Sequence, residues 1–235
     1  MKFENTEVWG FNHAIRGMRN SINNLNESDS GNEYEEHFGY SLYRYTIGEN
    51  DLKLAQNLIK AGSKHREFMR QIIVSVDITA PLYWWREFNT YNVGTVSNFC
   101  STMYKLADTP ITIDCFEMDD FSDFIHTGKD IVSFSDYRQV DVCNIWKNKV
   151  IPILEEFRKL YNETKYECYW KELIRLLPES WLDKRTITMS YENLLVMCSK
   201  SRQRFHEFTE WSKSFIDWVR NLPYAHELIF IDEVL

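Results

Sequence analysis

The sequence lacks the marks of several large protein classes. No stretch approaches the roughly 18 consecutive apolar residues of a membrane-spanning helix, and the opening "MKFENTEVWG" carries no apolar core of a secretory leader. Five cysteines (Cys100, Cys115, Cys143, Cys168 and Cys198) are spread over 235 residues without a C-x-x-C pair. That spacing speaks against a disulfide framework and against a zinc cluster, and it fits reduced thiols in a cytoplasm. Positive charge is in deficit: 27 Lys and Arg face 35 Asp and Glu, a formal net charge of -8. Such a chain is expected to bind neither DNA nor an anionic membrane. There is no P-loop, no dinucleotide G-x-G-x-x-G and no G-x-S-x-G nucleophile elbow.

What is present is a core. Hydrophobic residues make up 44% of the chain and aromatic residues 15%, enough for a globular protein of this length. "KFENTEVWG" reads as an edge strand, and "FNHAIRGMRNS" as a short helix with Ala14, Ile15 and Met18 on one face and Arg16 and Arg19 on the polar side. Residues 22–49, rich in Asn, Ser, Glu and Gly, read as a long loop or insertion. Asn50 is placed to cap the helix "DLKLAQNLIKAG", and Ser63 to cap "KHREFMRQI".

"IIVSVDITA" gives the clearest strand signal, with Val74, Val76 and Ile78 alternating with Ser75, Asp77 and Thr79. Pro81 then suits the first turn of "LYWWREFN"; its Trp84 and Trp85 are expected in the core or at a subunit contact. "PITIDCFEM" reads as a strand, followed by a polar loop to about residue 138. Val142–Tyr161 has helical spacing, which Pro152 kinks or restarts. "YWKELIRLLP" is a helix and "KRTITMSY" a strand. Asn193–Asn221 reads as one long amphipathic helix ended by Pro223. No repeat and no linker divides the chain. The expected fold is α+β, a single domain over 1–235, helix-rich with a small, mostly antiparallel sheet.

Three further constellations carry little chemistry. His206 and Glu210 stand one helical turn apart, but with no second ligand cluster no metal is expected. Glu117, Asp119, Asp120 and Asp123 lack the glycine and the closing glutamate of a calcium loop. Arg202, and Lys184 with Arg185, are candidate anion contacts.

Residues 74–98 carry a resemblance. The strand Val74-Ser75-Val76, the corner Ala80-Pro81-Leu82-Tyr83 and the helix arginine Arg86 are similar, without a gap, to the heart of the flavin-dependent thymidylate synthases of ThyX type. The signature chemistry departs from that family. Its Gln after the helix arginine falls on Glu87, its Arg-His-Arg triplet on Thr90, Tyr91 and Asn92, its next Ser on Thr95, and its Asn-Glu on Ser97 and Asn98. The Ser-x-Arg-Tyr that follows falls within residues 100–104. A phosphate gripped by guanidinium forks gains charge-assisted bonds that Thr90 and Asn92 cannot supply, and Glu87 would repel it.

The resemblance implies a ThyX-like fold, a homotetramer, and a uridine nucleotide, FAD, NADPH and methylenetetrahydrofolate as ancestral ligands. The missing triplet speaks against standard methylation of dUMP. Expected pocket residues are Arg86, Glu87, Tyr91, Asn92, Thr95, Ser97 and Asn98, with Arg202 as the anion contact. The alternative is a non-catalytic protein of phage or mobile-element type that captures a nucleotide or a protein partner.

Overall fold

The computed structural model describes residues 1–37, 40–91, 93–99, 106–118, 142–205 and 211–231, a few of them by backbone alone. Along these the chain forms β1 (Lys2–Trp9), α1 (Phe11–Ser21), β2 (Gly31–His37), β3 (Tyr40–Thr46), α2 (Glu49–Lys60), β4 (Ile73–Pro81), α3 (Leu82–Phe88) and β5 (Val96–Phe99). Next come α4 (Val142–Ile145), α5 (Ile151–Thr164), α6 (Glu167–Leu176), β6 (Leu182–Ser190), α7 (Tyr191–Met197), α8 (Lys200–Phe205), α9 (Ile216–Arg220) and α10 (Ala225–Leu228). One sheet has the strand order β1-β4-β6-β5, and β2 and β3 form a separate hairpin. The fold is α+β and helix-rich, as the sequence implies.

The alternation in β4 is the one read from the sequence. Val74, Val76 and Ile78 are buried, and Ser75, Asp77 and Thr79 are half-buried. Its partner β6 alternates likewise, burying Asp183, Arg185, Ile187 and Met189. Thr186 Oγ1 donates to Asp77 Oδ1 at 2.6 Å, Thr188 Oγ1 to Ser75 Oγ at 3.5 Å, and Tyr191 N to the Ile72 carbonyl at 2.9 Å. Ascending positions on β4 meet descending positions on β6, so this pair is antiparallel. Asn5 Nδ2 donates to Asp77 Oδ2, which adds β1 at the edge.

The described chain forms two compact units. The first comprises Met1–Ile78, Phe88–Asn98 and Thr186–Leu235. Here α1 buries Ala14, Ile15 and Met18, as its spacing predicts. Arg19, placed on the polar side by sequence, is in fact 3% exposed, because its Nε donates to Asp51 Oδ1 at 2.5 Å. Residues 22–49 are not the long loop expected. They hold a 3-10 turn, Leu25–Glu27, and the antiparallel hairpin β2–β3, with Gly31 opposite Thr46 and Tyr34 opposite Tyr43 in register.

The start of α2 is capped from a distance rather than by Asn50. Asp29 accepts from Asn50 N at 2.8 Å and Asp51 N at 3.0 Å, so a carboxylate satisfies the first free N–H groups and faces the positive end of the helix. Gly48 is required there, because a Cβ would stand 2.2 Å from Asp29 Cγ and 2.5 Å from its carbonyl oxygen. Ser63 does not open a helix. A short 3-10 segment, Glu67–Gln71, follows instead.

The long helix expected over 193–221 is broken. α7 begins at Tyr191 under a capping box in which Ser190 Oγ accepts from Asn193 N and the Asn193 side chain accepts from Ser190 N. It stops at Met197 because the indole of Trp211 donates to the Met197 carbonyl at 3.1 Å, supplying from a side chain a bond of the kind that would continue the helix. A π turn at Trp211–Phe215 then leads into α9. Positions 206–210, with His206 and Glu210, lie outside the described residues.

The second unit comprises Thr79–Glu87 and Phe99–Arg185. Leu106, Ile111, Phe116, Leu154, Leu173 and Trp181 form its core, with Trp146, Phe157 and Trp170 packed against them. Trp84 and Trp85 are 2% and 1% exposed, as expected of core residues. Trp85 Nε1 donates to the carbonyls of Ala80 and Asp183, each at 3.1 Å. "PITIDCFEM" is not a strand; it makes a 3-10 turn at Ile113–Cys115 and a single bridge from Phe116 to Trp181. Pro152 restarts a helix, sitting in the first turn of α5 after a π turn at Trp146–Val150. Glu155 on α5 accepts from Arg158 Nε and Nη2 and from the Ile111 N–H. The Arg158 hydrogen bonds hold its carboxyl below the ordinary range against the opposing effect of burial.

Candidate functional site

The segment that distinguishes this sequence, residues 89–98, begins where α3 ends. Tyr91 N donates to the Phe88 carbonyl at 3.0 Å, closing the last helical turn. Thr95 Oγ1 then donates to the Tyr91 carbonyl at 2.7 Å, folding the loop over itself. Asn193 of α7 fastens the loop tip, its Nδ2 donating to the Val93 carbonyl at 2.6 Å. Gly94 adopts φ +78, a backbone region that side chains rarely occupy, and an added Cβ would sit 3.3 Å from Asn193 Oδ1.

These bonds place the Tyr91 ring in an aromatic and cationic stack within the first unit. Trp211 lies behind it, near-parallel at 27° with centroids 5.7 Å apart. Arg202 lies over the Tyr91 ring, its guanidinium carbon 5.2 Å from the centroid. Trp211 is 1% exposed and rests in turn on Phe215 at 4.9 Å. Trp211 and Arg202 thus both engage the Tyr91 ring, and a guanidinium held in this way is a candidate contact for an anionic group.

The sequence-predicted residues divide as follows. Tyr91, Thr95 and Arg202 come together. Ser97 and Asn98 are exposed on β5, and Asn92 lies outside the described residues, as do the family-signature positions 100–104. Arg86 and Glu87 belong to the second unit. There Arg86 has a side chain 74% exposed and ion-paired with Glu179. It sits at the solvent end of a seven-residue helix whose inward positions Trp84 and Trp85 occupy.

Arg185 is held within its own unit. Its Nε donates to Asp183 at 3.0 Å, and its guanidinium lies 4.3 Å from the rings of both Trp85 and Phe99. Sequence reading missed Asn193 and Trp211. The Ser190-x-x-Asn193 capping spacing was the available signal for the first. Trp211 looked like any apolar residue on a helix face.

No group of three or more His, Cys, Asp or Glu side chains able to hold a metal occurs among the described residues. No helix among them is long and apolar enough to cross a membrane. The donor set of the Tyr91 stack is one guanidinium, hydroxyls and backbone. Among the described residues, Arg202 is the guanidinium placed on the Tyr91 ring.

No protein-family model and no curated protein matches the sequence. Solved structures do match the fold. The chain is similar to the flavin-dependent thymidylate synthase ThyX from Helicobacter pylori complexed with FAD and dUMP, with a TM-score of 0.61, 14% identity, and 99% of each chain covered. A second structure of ThyX from Helicobacter pylori with FAD and dUMP gives the same TM-score and identity, covering 99% of this chain and 98% of that one. The UMP/dUMP methylase PolB from Streptomyces cacaoi, bound with 5-Br dUMP, follows at a TM-score of 0.56 and 12% identity, covering 98% of this chain and 94% of that one. The chain has the ThyX-like fold.

Proposed function

We propose that this chain uses the ThyX-like fold to bind a uridine nucleotide at the Tyr91 stack and does not carry out the flavin-dependent methylation of dUMP. The observation that carries the reading is the guanidinium of Arg202 resting on the Tyr91 ring, with Trp211 behind it. Tyr91 occupies the sequence position of the family's histidine, so ring and cation remain where the Arg-His-Arg triplet is gone. The solved structures that share the fold hold dUMP or its 5-bromo analogue, which supports a pyrimidine nucleotide as the ligand class. The proposed lining is Tyr91, Thr95, Ser97 and Asn98, with Arg202 taking the phosphate. FAD, NADPH and methylenetetrahydrofolate belong to the reading only if methylation is retained.

Titration of purified protein with dUMP and with FAD tests this by thermal shift and by visible absorbance. A ligand that prefers the folded state raises Tm, so dUMP is expected to raise it and the protein to purify colourless. Arg202→Ala is expected to weaken dUMP binding roughly ten- to a hundredfold, the usual size of a lost charge-assisted hydrogen bond, with little change in Tm. Unchanged affinity would remove Arg202 from the site. Tightly bound flavin with turnover of dUMP would overturn the non-catalytic part of the reading.

A second reading, capture of a protein partner or of further copies of the chain, is favoured by one feature. Val93 and Val96 are 89% and 59% exposed just before and at the start of β5, which ends the strand order of the described sheet. An exposed apolar edge strand is a template for pairing. Light scattering is expected to give a mass above one chain, and Val96→Lys to lower it. A monomer at all concentrations would dismiss this reading.

A further inference from the structure

Asn193 lies outside the proposed lining, yet a bond from its side chain holds the loop that carries Tyr91. We propose that Asn193 is a positioning residue of the Tyr91 stack: its amide latches the tip of loop 89–95, and nucleotide affinity depends on that latch although Asn193 does not touch the ligand. As to the ligand this rests on the nucleotide reading; the latch itself rests on the loop geometry.

The base of the latch is rigid. Asn193 is the third residue of α7, and the two residues before it are pinned. Tyr191 is 0% exposed, its N–H donating to the Ile72 carbonyl at 2.9 Å and its hydroxyl to the Pro223 carbonyl at 2.6 Å. Glu192 is ion-paired with Arg66 at 3.4 Å and with Arg70, both from the segment before β4. Ser190, at the end of β6, then orients the amide: its N–H at 3.1 Å and its hydroxyl at 2.7 Å both donate to Asn193 Oδ1. The oxygen takes both donors, so the NH2 end, which can only donate, is turned to the Val93 carbonyl at 2.6 Å.

The loop tip, by contrast, is not held by burial. Val93 is 89% exposed, so its side chain contributes little apolar packing. Gly94, at φ +78, bends the tip toward α7, close enough that an added Cβ would stand 3.3 Å from Asn193 Oδ1. Val93 lies midway between Tyr91 and Thr95, whose hydroxyl closes the loop on the Tyr91 carbonyl at 2.7 Å. The bond at Val93 therefore fixes a small closed ring of chain rather than a free strand. Two residues span at most about 7 Å, so a fixed Val93 leaves little freedom to the Tyr91 ring beneath Arg202.

Asn193→Asp separates the latch from the cap. A carboxylate still accepts from Ser190 N and Oγ, so the capping box is kept, but it has nothing to donate to Val93, and two acceptors then face each other. Amide hydrogen exchange over the loop and chemical denaturation are read on the free protein, and dUMP affinity by calorimetry. The variant is expected to keep a denaturation midpoint near that of the wild type, since a carboxylate suits the first turn of a helix. Its loop amides, Tyr91 among them, are expected to exchange at least tenfold faster, and dUMP to bind at least tenfold more weakly. That affinity ratio is expected to persist in 1 M salt, where the Debye length is about 3 Å, because simple repulsion by the new charge would be screened there. Ser190→Ala is the converse. It removes the capping hydroxyl and keeps the Val93 bond, so it is expected to lower the midpoint and leave dUMP affinity within about threefold.

The latch and the nucleotide reading fail separately. A wild type that ignores dUMP removes the nucleotide reading, and loop exchange in the free protein then decides the latch: exchange at least tenfold faster in Asn193→Asp upholds it, and wild-type exchange overturns it. Where the wild type binds dUMP, the proposal is overturned if the loop of Asn193→Asp exchanges normally, if its affinity is unchanged, if the loss vanishes in 1 M salt, or if Ser190→Ala weakens dUMP as much as Asn193→Asp does.

Discussion

Asp51→Ala is expected to lower stability by about 3–5 kcal/mol, the usual cost of stranding one member of a buried ion pair. For a chain of this size that corresponds to a fall in Tm of roughly 6–20 °C. Asp51 is 0% exposed and accepts four bonds: Arg19 Nε at 2.5 Å, Ser28 Oγ at 2.7 Å, Ser30 N at 3.1 Å and Ser30 Oγ at 2.5 Å. Removing the carboxylate leaves the Arg19 guanidinium, 4% exposed, with only the solvent-facing Glu27 at 3.5 Å. It also detaches Ser30, whose hydroxyl accepts the Gly48 N–H ahead of α2. Three segments that follow one another in sequence, α1, the 28–30 turn and α2, are joined through this one side chain. Chemical denaturation checks the magnitude, and a loss below about 1 kcal/mol would show that the pair contributes little beyond its desolvation cost.

The same carboxylate gives a pH dependence of known sign. Burial alone would raise its pKa, but the hydrogen bonds from Ser30, Ser28 and Arg19 outweigh burial and hold it below the ordinary value of 3.8. The folded pKa is depressed, so the native state keeps the proton off where the unfolded chain would take it up. The resulting stability is complete above the unfolded value and is lost as pH falls through the folded one. The gap between wild type and Asp51→Asn, measured by denaturation from pH 7 downward, is expected to hold steady near neutrality and to narrow below about pH 4. Glu155, held down by Arg158, adds to the acid sensitivity of both proteins and cancels from the difference.

Where one physical signal governed a segment, the sequence announced it. β4 was legible because a half-buried strand imposes period two on its side chains, and α1 because its apolar face repeats at helical spacing. The ThyX-like fold was legible through Val74–Arg86 because a strand, a proline corner and a helix arginine follow one another there in the family's order without a gap. The 31–46 hairpin was hidden by polar composition: strand pairing there satisfies backbone groups and asks for no apolar run. Arg19 was misread because periodicity reports apolarity, and a buried guanidinium is paired by a residue 32 positions away.

The breaks around α7 and α8 were illegible for a related reason. The helix gives way at Cys198 and Ser199, where Ser199 N turns to the Val196 carbonyl and the Trp211 indole takes the Met197 carbonyl, contacts that periodicity does not report. Tyr91, Thr95 and Arg202, candidates through the family likeness, lie together in the first unit. Asn193 and Trp211, which hold Tyr91 in place, act through contacts that no motif records.

Trp211 should therefore couple stability to binding more strongly than any residue that faces the ligand. Trp211→Ala is expected to cost about 3–5 kcal/mol for a buried tryptophan, with a further 1–3 kcal/mol if the Met197 carbonyl finds no new donor. Trp211→Phe keeps an aromatic wall and loses only the indole N–H, so its expected cost is about 1–3 kcal/mol.

Binding separates the two variants further. With alanine, Tyr91 loses the ring stacked behind it at 5.7 Å, and the Tyr91–Arg202 pair loses its fixed geometry. The dUMP affinity, measured at a temperature where the variant is fully folded, is expected to fall at least tenfold. With phenylalanine it should stay within about threefold, since ring support persists, and an offset aromatic pair contributes about 0.5–1.5 kcal/mol beyond burial. If alanine destabilises the chain yet leaves dUMP binding intact, Tyr91 is not held for the nucleotide, and the stack is a piece of core that happens to reach the surface.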